Sequence, residues 1–416
     1  MSGHAVIVGG GVIGLFAAWY CAARGWRVTV VERNGAERDG CSYGNTGMVV
    51  PSHFVPLAAP GMVGLALRWM WNPASPFYVK PRASWDLLDW GLKFWGAANE
   101  AHVRRAGKLL RDLALASRES YAELAWGRDD FGFSQRGLLA LCRSEHALEE
   151  EAKTAELARE LGLRAEVLDA KQTAAREPGM RMDVAGSVYF PQDSNLAPDQ
   201  LMASMEQRLG AAGAQFAWNT EVTGWRIEGG RIRAAVTATG ELEADEFLLC
   251  AGSWSTRVAR QLDLKLPLQP GKGYSLTLQS PRKSPKLCAL LVEARVAVSP
   301  MNGALRFGGT MELAGLNEDI NPIRVRGIAE AAQRYYPELT AEDFAGIRAW
   351  RGLRPCSPDG LPYVGRPAGF ANLIVATGHA MLGITLGPVT GKLAAELLSG
   401  EPPALDISLL SPDRYR

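Results

Sequence analysis

Residues 5–32 constrain the fold of this chain more than any other stretch. Ala5-Val6-Ile7-Val8 is apolar and β-branched, the composition of a strand buried on both faces. Gly9-Gly10-Gly11-Val12-Ile13-Gly14 follows it, a G-x-G-x-x-G run between a strand and a helix. Gly9 permits the tight turn, Gly11 lets backbone approach a pyrophosphate, and Gly14 lets the helix pack close to the sheet. The helix runs on to Gly25, a C′ residue, with its positive dipole end toward the phosphates. A second strand, 27–31, ends at Glu32, 18 residues after Gly14. An acid there accepts both ribose hydroxyls and argues against a 2′-phosphate, hence against NADP. The segment predicts a dinucleotide-binding α/β fold.

At 416 residues the chain exceeds one ordinary core, and 47% hydrophobic with 21% charged residues is a globular composition. The net charge is +1 and no dense Lys/Arg stripe occurs, which disfavours nucleic acid as a partner. Six cysteines form neither a C-x-x-C pair nor a Cys/His cluster, so no metal is expected. They read as thiols in a reducing compartment. A strand begins where a signal peptide would need a basic start, and a cytoplasmic location is expected. Residues 40–67 hold no Asp, Glu, Lys or Arg. Pro51, Pro56 and Pro60 interrupt them, so they read as buried or interfacial loop and not as a membrane span.

Periodicity predicts helix over 81–127, strand over 132–142, and helices over 145–160 and 199–209. Short antiparallel strands are expected over 215–249 and 273–310. Nucleotide-binding segments thus recur at 1–85, 185–260 and 345–416. A substrate region is inserted between them at 86–184 and 261–344.

Further segments separate FAD from NAD. They are Gly40-Cys41-Ser42-Tyr43-Gly44-Asn45-Thr46-Gly47, Leu249-Cys250-Ala251-Gly252-Ser253-Trp254, Gly352-Leu353-Arg354-Pro355, Pro358-Asp359-Gly360-Leu361-Pro362, and Gly378-His379-Ala380-Met381-Leu382-Gly383-Ile384-Thr385. In this order, with the N-terminal run, they resemble the D-amino-acid oxidase and dehydrogenase superfamily of flavoproteins. The likeness is strongest to bacterial D-amino-acid dehydrogenases, at 42–47, 270–275 and 352–355. It implies an FAD-binding Rossmann-like domain of glutathione-reductase type and a mostly antiparallel α+β substrate domain. It further implies hydride transfer from a D-amino acid to flavin N5, an imine hydrolysing to a 2-oxo acid, and electrons passing to a quinone or other carrier.

The same resemblance implies the contacts to FAD. Arg33 beside Glu32, then Ser42, Asn45, Thr46, Gly47 and Met48, belong to it. Val222 stands where the backbone meets the adenine, and Ala251, Gly252 and Trp254 form a turn at the pyrophosphate. The loop of Gly378, His379, Met381, Leu382, Gly383, Ile384 and Thr385 feeds a helix over 388–398. Its N–H groups would steady the negative edge of reduced flavin.

Hydride removal needs the carboxylate pinned, and an arginine fork does this best. Arg354 matches the arginine that binds the substrate carboxylate in glycine-oxidase-like members. Their further arginine falls where this chain has Met381, so an anchor is missing or replaced. Tyr274, Lys272 and His53 are the candidates to replace it. The bland readings weigh against them: a core tyrosine equally, a solvated lysine and a satisfied core histidine more strongly than the anchor role. Cys356 lies near the flavin loop, but the linking cysteine of sarcosine oxidases falls at Gly352 here, so non-covalent FAD is expected. Trp69, Trp71, Trp85, Trp90 and Trp95 beside Met70 suit a quinone-facing or membrane-interface surface, or a helical core. Peripheral contact with the inner face of a membrane follows from the first option. Alternatives are a dehydrogenase of D-proline or cis-4-hydroxy-D-proline and a glycine- or sarcosine-type oxidase using O₂. A tRNA-modifying flavoprotein and an NAD enzyme are weaker readings.

Overall fold

The computed structural model describes residues 3–69 and 75–416, so Met70 and Trp71 lie outside the described residues. A six-stranded sheet has the order Tyr363–Gly365, Leu373–Thr377, Glu246–Leu249, His4–Val8, Arg27–Val31, Gln215–Ala217. All its pairings are parallel except that of the outermost Tyr363–Gly365. Alternate side chains supply two cores. Ala5, Ile7, Val28, Val30, Leu248 and Ile374 point to one face, and Val6, Val8, Val31, Phe247, Leu249 and Val375 to the other. Each such side chain contributes about 1.5–3 kcal/mol by leaving water. Helices Val12–Ala23 and Gly383–Leu398 cover the first face, and the antiparallel strands Val222–Glu228, Arg231–Thr237 and Gly240–Glu243 cover the second.

Helix Gly383–Leu398 begins earlier than expected and carries Pro388 inside it. Tertiary contacts make this tolerable. The carbonyl of Ile384, which Pro388 has no N–H to reach, accepts from the Tyr121 hydroxyl at 2.8 Å. The next amide, Val389, donates to Ser117 Oγ at 3.1 Å. With its preceding turn this helix is long and apolar enough to cross a membrane, but 72% of that window is buried inside the fold. It is a core helix.

The second sheet has nine strands and is mostly antiparallel. Its order is Trp350–Cys356, Gln269–Gln279, Ala304–Leu313, Val296–Met301, Cys288–Leu291, Leu138–Cys142, Gly186–Phe190, Glu166–Asp169, with Phe77–Val79 beside the end of Ala304–Leu313. Three of these strands depart from the division expected from sequence. Phe77–Val79, Gly186–Phe190 and Trp350–Cys356 fall in ranges assigned to nucleotide binding, yet they pair in this sheet. Conversely, helix Glu100–Ala125 places Tyr121 in the core of the nucleotide sheet. The single helix expected over 81–127 is two, Trp85–Ala97 and Glu100–Ala125. Asn99 separates them by capping the amide of His102. The expected strand 132–142 shortens to Leu138–Cys142.

Candidate active site

A cleft opens at the carboxyl ends of the parallel strands, where the sequence places its glycines. Gly9 has φ +113°, and a Cβ there would stand 2.4 Å from the Cys250 carbonyl oxygen. A Cβ on Gly14 would stand 1.9 Å from the Gly9 carbonyl oxygen, so first strand and helix approach as closely as backbone allows. A Cβ on Gly11 would meet only the Ser42 hydroxyl, at 3.5 Å, which leaves backbone bare to the cleft. Glu32 closes one end. Its carboxylate accepts from the amides of Gly10 at 2.9 Å and Asn34 at 3.0 Å, and a carboxylate has room for further donors. Arg33 stacks 3.6 Å over the Trp254 ring.

Gly9, Gly11, Val12, Ile13, Glu32, Arg33, Ser42, Asn45, Val222, Ala251, Gly252, Trp254, His379, Gly383 and Ile384 all line this cleft. Others expected at the cofactor stand behind it. Gly47, with φ +69°, lies against the Leu196 carbonyl, and Thr46 lies against Gly308. The Met48 carbonyl accepts from the Thr385 hydroxyl at 2.9 Å. Gly378 sits against the Tyr363 ring. Met381 is exposed and Leu382 packs into neighbouring apolar clusters, so neither side chain lines the cleft. The reason is local: the chain turns into the helix through a 3-10 turn at Ala380–Leu382, which presents Ala380 and not Met381 inward. His379 Nε2 pairs with Thr390 Oγ1 at 3.0 Å, and burial pushes its pKa down to about 3. It is a neutral buried ring.

Sequence reading missed Asn34, Arg38, Cys41, Tyr43, Thr220 and Thr377, which also line the cleft. Arg38 donates to the Gly10 carbonyl at 2.6 Å and to Glu206 at 2.8 Å. Glu206 also accepts from the Tyr43 hydroxyl at 2.9 Å. Nothing near Arg38 in sequence announces a partner so distant along the chain.

Arg354 stands on the second sheet beside the cleft and does not itself line it. Its neighbours Leu353 and Pro355 line the cleft, and its guanidinium lies flat over Gly273, where a Cβ would be 2.2 Å from both terminal nitrogens. One nitrogen donates to the Thr310 carbonyl at 2.7 Å. Thr310 and Met311 together face the single residue Gly273, a β-bulge. Thr310 has φ +62°, rare for a β-branched residue, and its hydroxyl is buried with no partner among the described residues. Arg354 has no carboxylate partner among the described residues.

Lys272 and Tyr274 are not brought to Arg354. They alternate with Gly273 along the strand and so point to the opposite face. Lys272 Nζ donates to Asn317 Oδ1 at 2.5 Å and the Asp319 carbonyl at 2.7 Å. Tyr274 donates to Glu312 at 3.0 Å within the core that includes Ile328. Both are fully engaged structural groups, which removes them as the second carboxylate anchor. His53 is half-buried, and burial pushes its pKa down to about 4. Ser52 Oγ donates to Asp193 Oδ2 at 2.5 Å, and His53 Nδ1 lies 3.3 Å from that hydroxyl. With the hydroxyl proton committed to Asp193, Nδ1 carries the hydrogen and Nε2 keeps its lone pair.

A profile of FAD-dependent oxidoreductases (DAO) matches residues 4–397. The chain belongs to that flavoenzyme family. Among its relatives, D-amino acid dehydrogenase of Vibrio atlanticus is 32% identical, covering 99% of each chain. That of Bradyrhizobium diazoefficiens is 31% identical, covering 99% of this chain and 98% of its own. Glycine oxidase from Geobacillus kaustophilus superposes with a TM-score of 0.79 at 24% identity, over 100% of this chain and 99% of its own. L-proline dehydrogenase from P. horikoshii does so with 0.72 at 17%, over 100% and 98%.

The cleft fits the FAD of the family. Bare backbone at Gly11 and the helix N-terminus suit a pyrophosphate, and Glu32 suits ribose hydroxyls. Neither position weighed for a covalent link, Cys356 or Gly352, offers a thiol to the cleft. Cys356 is buried, its thiol is pushed up to about 12 by burial, and it does not line the cleft. The position of Gly352 is occupied by the Trp350 ring, 2.1 Å from where a Cβ would be. Acid precipitation of the purified flavoenzyme is therefore expected to leave all flavin absorbance in the supernatant; a yellow pellet would contradict it.

Proposed function

We propose that this flavoenzyme is a dehydrogenase of small D-amino acids. It oxidises the Cα–N bond, the imine hydrolyses to a 2-oxo acid, and electrons pass to a quinone or other carrier. The observation that carries the reading is Arg354, a cation beside the cofactor cleft with no carboxylate of its own among the described residues. An amino-acid carboxylate completes it. Bound FAD supplies the two-electron acceptor for the α-hydrogen.

The chain's own residues do the rest. Thr310 fixes one edge of the Arg354 fork and leaves its other donors for the substrate. Gly273 keeps the floor under the fork empty. His53, held through Ser52 and Asp193, keeps a neutral ring nitrogen that can accept a hydrogen bond from the substrate amine, which reacts in its uncharged form. The names of the sequence relatives support the substrate class, and the exposed Met381 in place of a second arginine separates the site from the glycine-oxidase pattern.

Anaerobic bleaching of the flavin by a substrate panel tests this. D-alanine and other simple D-amino acids are expected to bleach it, and their L-enantiomers are not. Bleaching by D-proline and cis-4-hydroxy-D-proline alone would move the assignment to a cyclic secondary amine. Reoxidation by O₂ as fast as by a soluble quinone would make the protein an oxidase.

A further inference from the structure

Asp193 stands on the turn between strands Gly186–Phe190 and Ser194–Asn195 and is 1% exposed. A carboxylate taken out of water needs a cation beside it. Among the described residues none lies within ion-pair distance of Asp193. Arg118, on helix Glu100–Ala125, is the charged side chain that steadies it, but only from a distance. Its guanidinium is turned to Ser194 Oγ at 3.3 Å and Gln135 Oε1 at 2.7 Å. The Cys288 thiol, on strand Cys288–Leu291, and the His53 ring are the other titratable groups facing this carboxyl.

Among the described residues, both hydrogen bonds to the Asp193 side chain come from Ser52. The amide donates to Oδ1 at 3.1 Å and the hydroxyl to Oδ2 at 2.5 Å. His53 Nδ1 lies 3.3 Å from the same hydroxyl. Nε2, on a half-buried ring, has no protein partner among the described residues. Through Val50 and Phe54 the loop packs with Met48 and Leu382, beside the start of helix Gly383–Leu398. Carboxyl, hydroxyl and imidazole thus form one chain from a buried end to an open one. Every link in it can either give or take a proton.

Alone, His53 is a poor acceptor for an ammonium proton, because burial pushes its pKa down to about 4. Burial acts on a carboxyl in the opposite sense and pushes Asp193 up to about 7. The chain between them joins the better base to the open end. A proton arriving at Nε2 lets Nδ1 pass its own to Ser52 Oγ, and Ser52 passes its original proton to Asp193 Oδ2. One N–H or O–H bond forms for each that breaks. Ring and hydroxyl end neutral, the carboxylate is the group neutralised, and the ring hydrogen sits on Nε2 instead of Nδ1.

We propose that Asp193, acting through Ser52 and His53, takes up the proton that a substrate ammonium gives up before its α-hydrogen leaves. This role rests on the reading of His53 as partner of the substrate amine, and it makes Asp193 and Ser52 positioning residues for that amine. It explains why the carboxyl is buried without a cation. Paired with an arginine it would hold its charge and take no proton. A carboxyl that only pinned the loop would use the same two Ser52 hydrogen bonds, but it would leave the ring indifferent to its protonation.

Full-length FAD-loaded enzyme carrying nitrogen-15 histidine is titrated between about pH 5 and 9. The His53 ring is followed by long-range proton–nitrogen correlation and assigned with His53→Gln. As pH rises the ring is expected to pass from the Nε2–H to the Nδ1–H tautomer with a midpoint of about 7, uncharged throughout. Asp193→Asn cannot take the proton and Ser52→Ala breaks the chain, so both are expected to fix one tautomer with flavin content unchanged. In both, kcat/KM for D-alanine is expected to fall about 10²-fold near pH 7 and to recover toward wild type near pH 10, where the amine arrives without its proton. Ser52→Thr, which keeps the hydroxyl, is expected to restore the tautomer change. A wild-type His53 tautomer that ignores pH would overturn the proposal, as would an imidazolium forming near pH 7. So would a loss in Asp193→Asn that is equal at every pH, the mark of a purely structural role. If the ring switches with Asp193 but no D-amino acid bleaches the flavin, the substrate assignment fails and the relay stands for another amine.

Discussion

Arg354→Leu is expected to lower kcat/KM by roughly 10²–10³-fold while the protein stays folded and yellow. A guanidinium–carboxylate contact in a half-buried site is a charge-assisted, forked interaction, and its loss costs about 3–4 kcal/mol. The carboxylate is held before and during hydride loss alike, so KM should carry much of the change. kcat falls as well, because a substrate free to rotate no longer presents its α-hydrogen. Folding should hardly notice, since among the described residues the side chain's one hydrogen bond is to the Thr310 carbonyl. Arg354→Lys should rescue little, because an ammonium cannot reproduce the fork. Gly273→Ala supplies an independent check. Its new Cβ would fall 2.2 Å from both terminal nitrogens, so the guanidinium must swing aside. KM is expected to rise about tenfold with FAD content unchanged, as about 1.4 kcal/mol of misplaced contact requires. Steady-state kinetics with a soluble quinone measures both. Wild-type KM in both variants would remove Arg354 from the substrate.

What was legible in the sequence was what short-range chemistry encodes. The run Gly9 to Gly14 needs its glycines for backbone contacts with the adjacent strand and with the Cys250 turn, and it reads correctly because those contacts recur wherever such a turn forms. Glu32 was readable for the same reason. Arg38 was not, because its role arises from Glu206 on a helix far away in the chain. Lys272 and Tyr274 show a different limit. The sequence brings them within reach of Arg354 in the fold, but strand alternation sends them to the far face, and only the pairing of Gly273 with Gly352 reveals which face is which. Helix Gly383–Leu398 shows a third. Pro388 signals a helix start, and the hydroxyl of Tyr121 overrides it by capping the carbonyl that proline leaves unpaired. The tryptophans of 85–95 were ambiguous between core and surface because both need the same periodicity. Exposure of Trp85 and Trp95 with burial of Trp90 divides one tryptophan cluster between the two.

Gly14→Ala is expected to abolish FAD retention and to lower the thermal midpoint by roughly 1–4 °C. The added methyl would stand 1.9 Å from the Gly9 carbonyl oxygen and 3.1 Å from its carbon. Neither atom is the end of a flexible side chain. Gly9 is itself pinned, its amide donating to the Val31 carbonyl at 2.8 Å and the space where its Cβ would stand filled by the Cys250 carbonyl. Relief must therefore come from moving helix Val12–Ala23 off the sheet. That helix packs against Gly383–Leu398, where a Cβ on Gly391 would already lie 2.5 Å from Phe16 backbone. Displacing it against so tight a neighbour costs about 1–3 kcal/mol by overpacking, enough for the shift in midpoint. The same displacement carries the helix N-terminus away from the pyrophosphate, so loss of cofactor should exceed loss of fold. Gly25→Ala, with φ +82° but nothing within 4 Å, controls for glycine removal itself and should cost only about 1 kcal/mol with full flavin content. The ratio of flavin to protein absorbance and the melting curve, taken on both variants, separate the effects. A yellow, wild-type-stable Gly14→Ala protein would mean that the close approach of strand and helix is not what holds the dinucleotide.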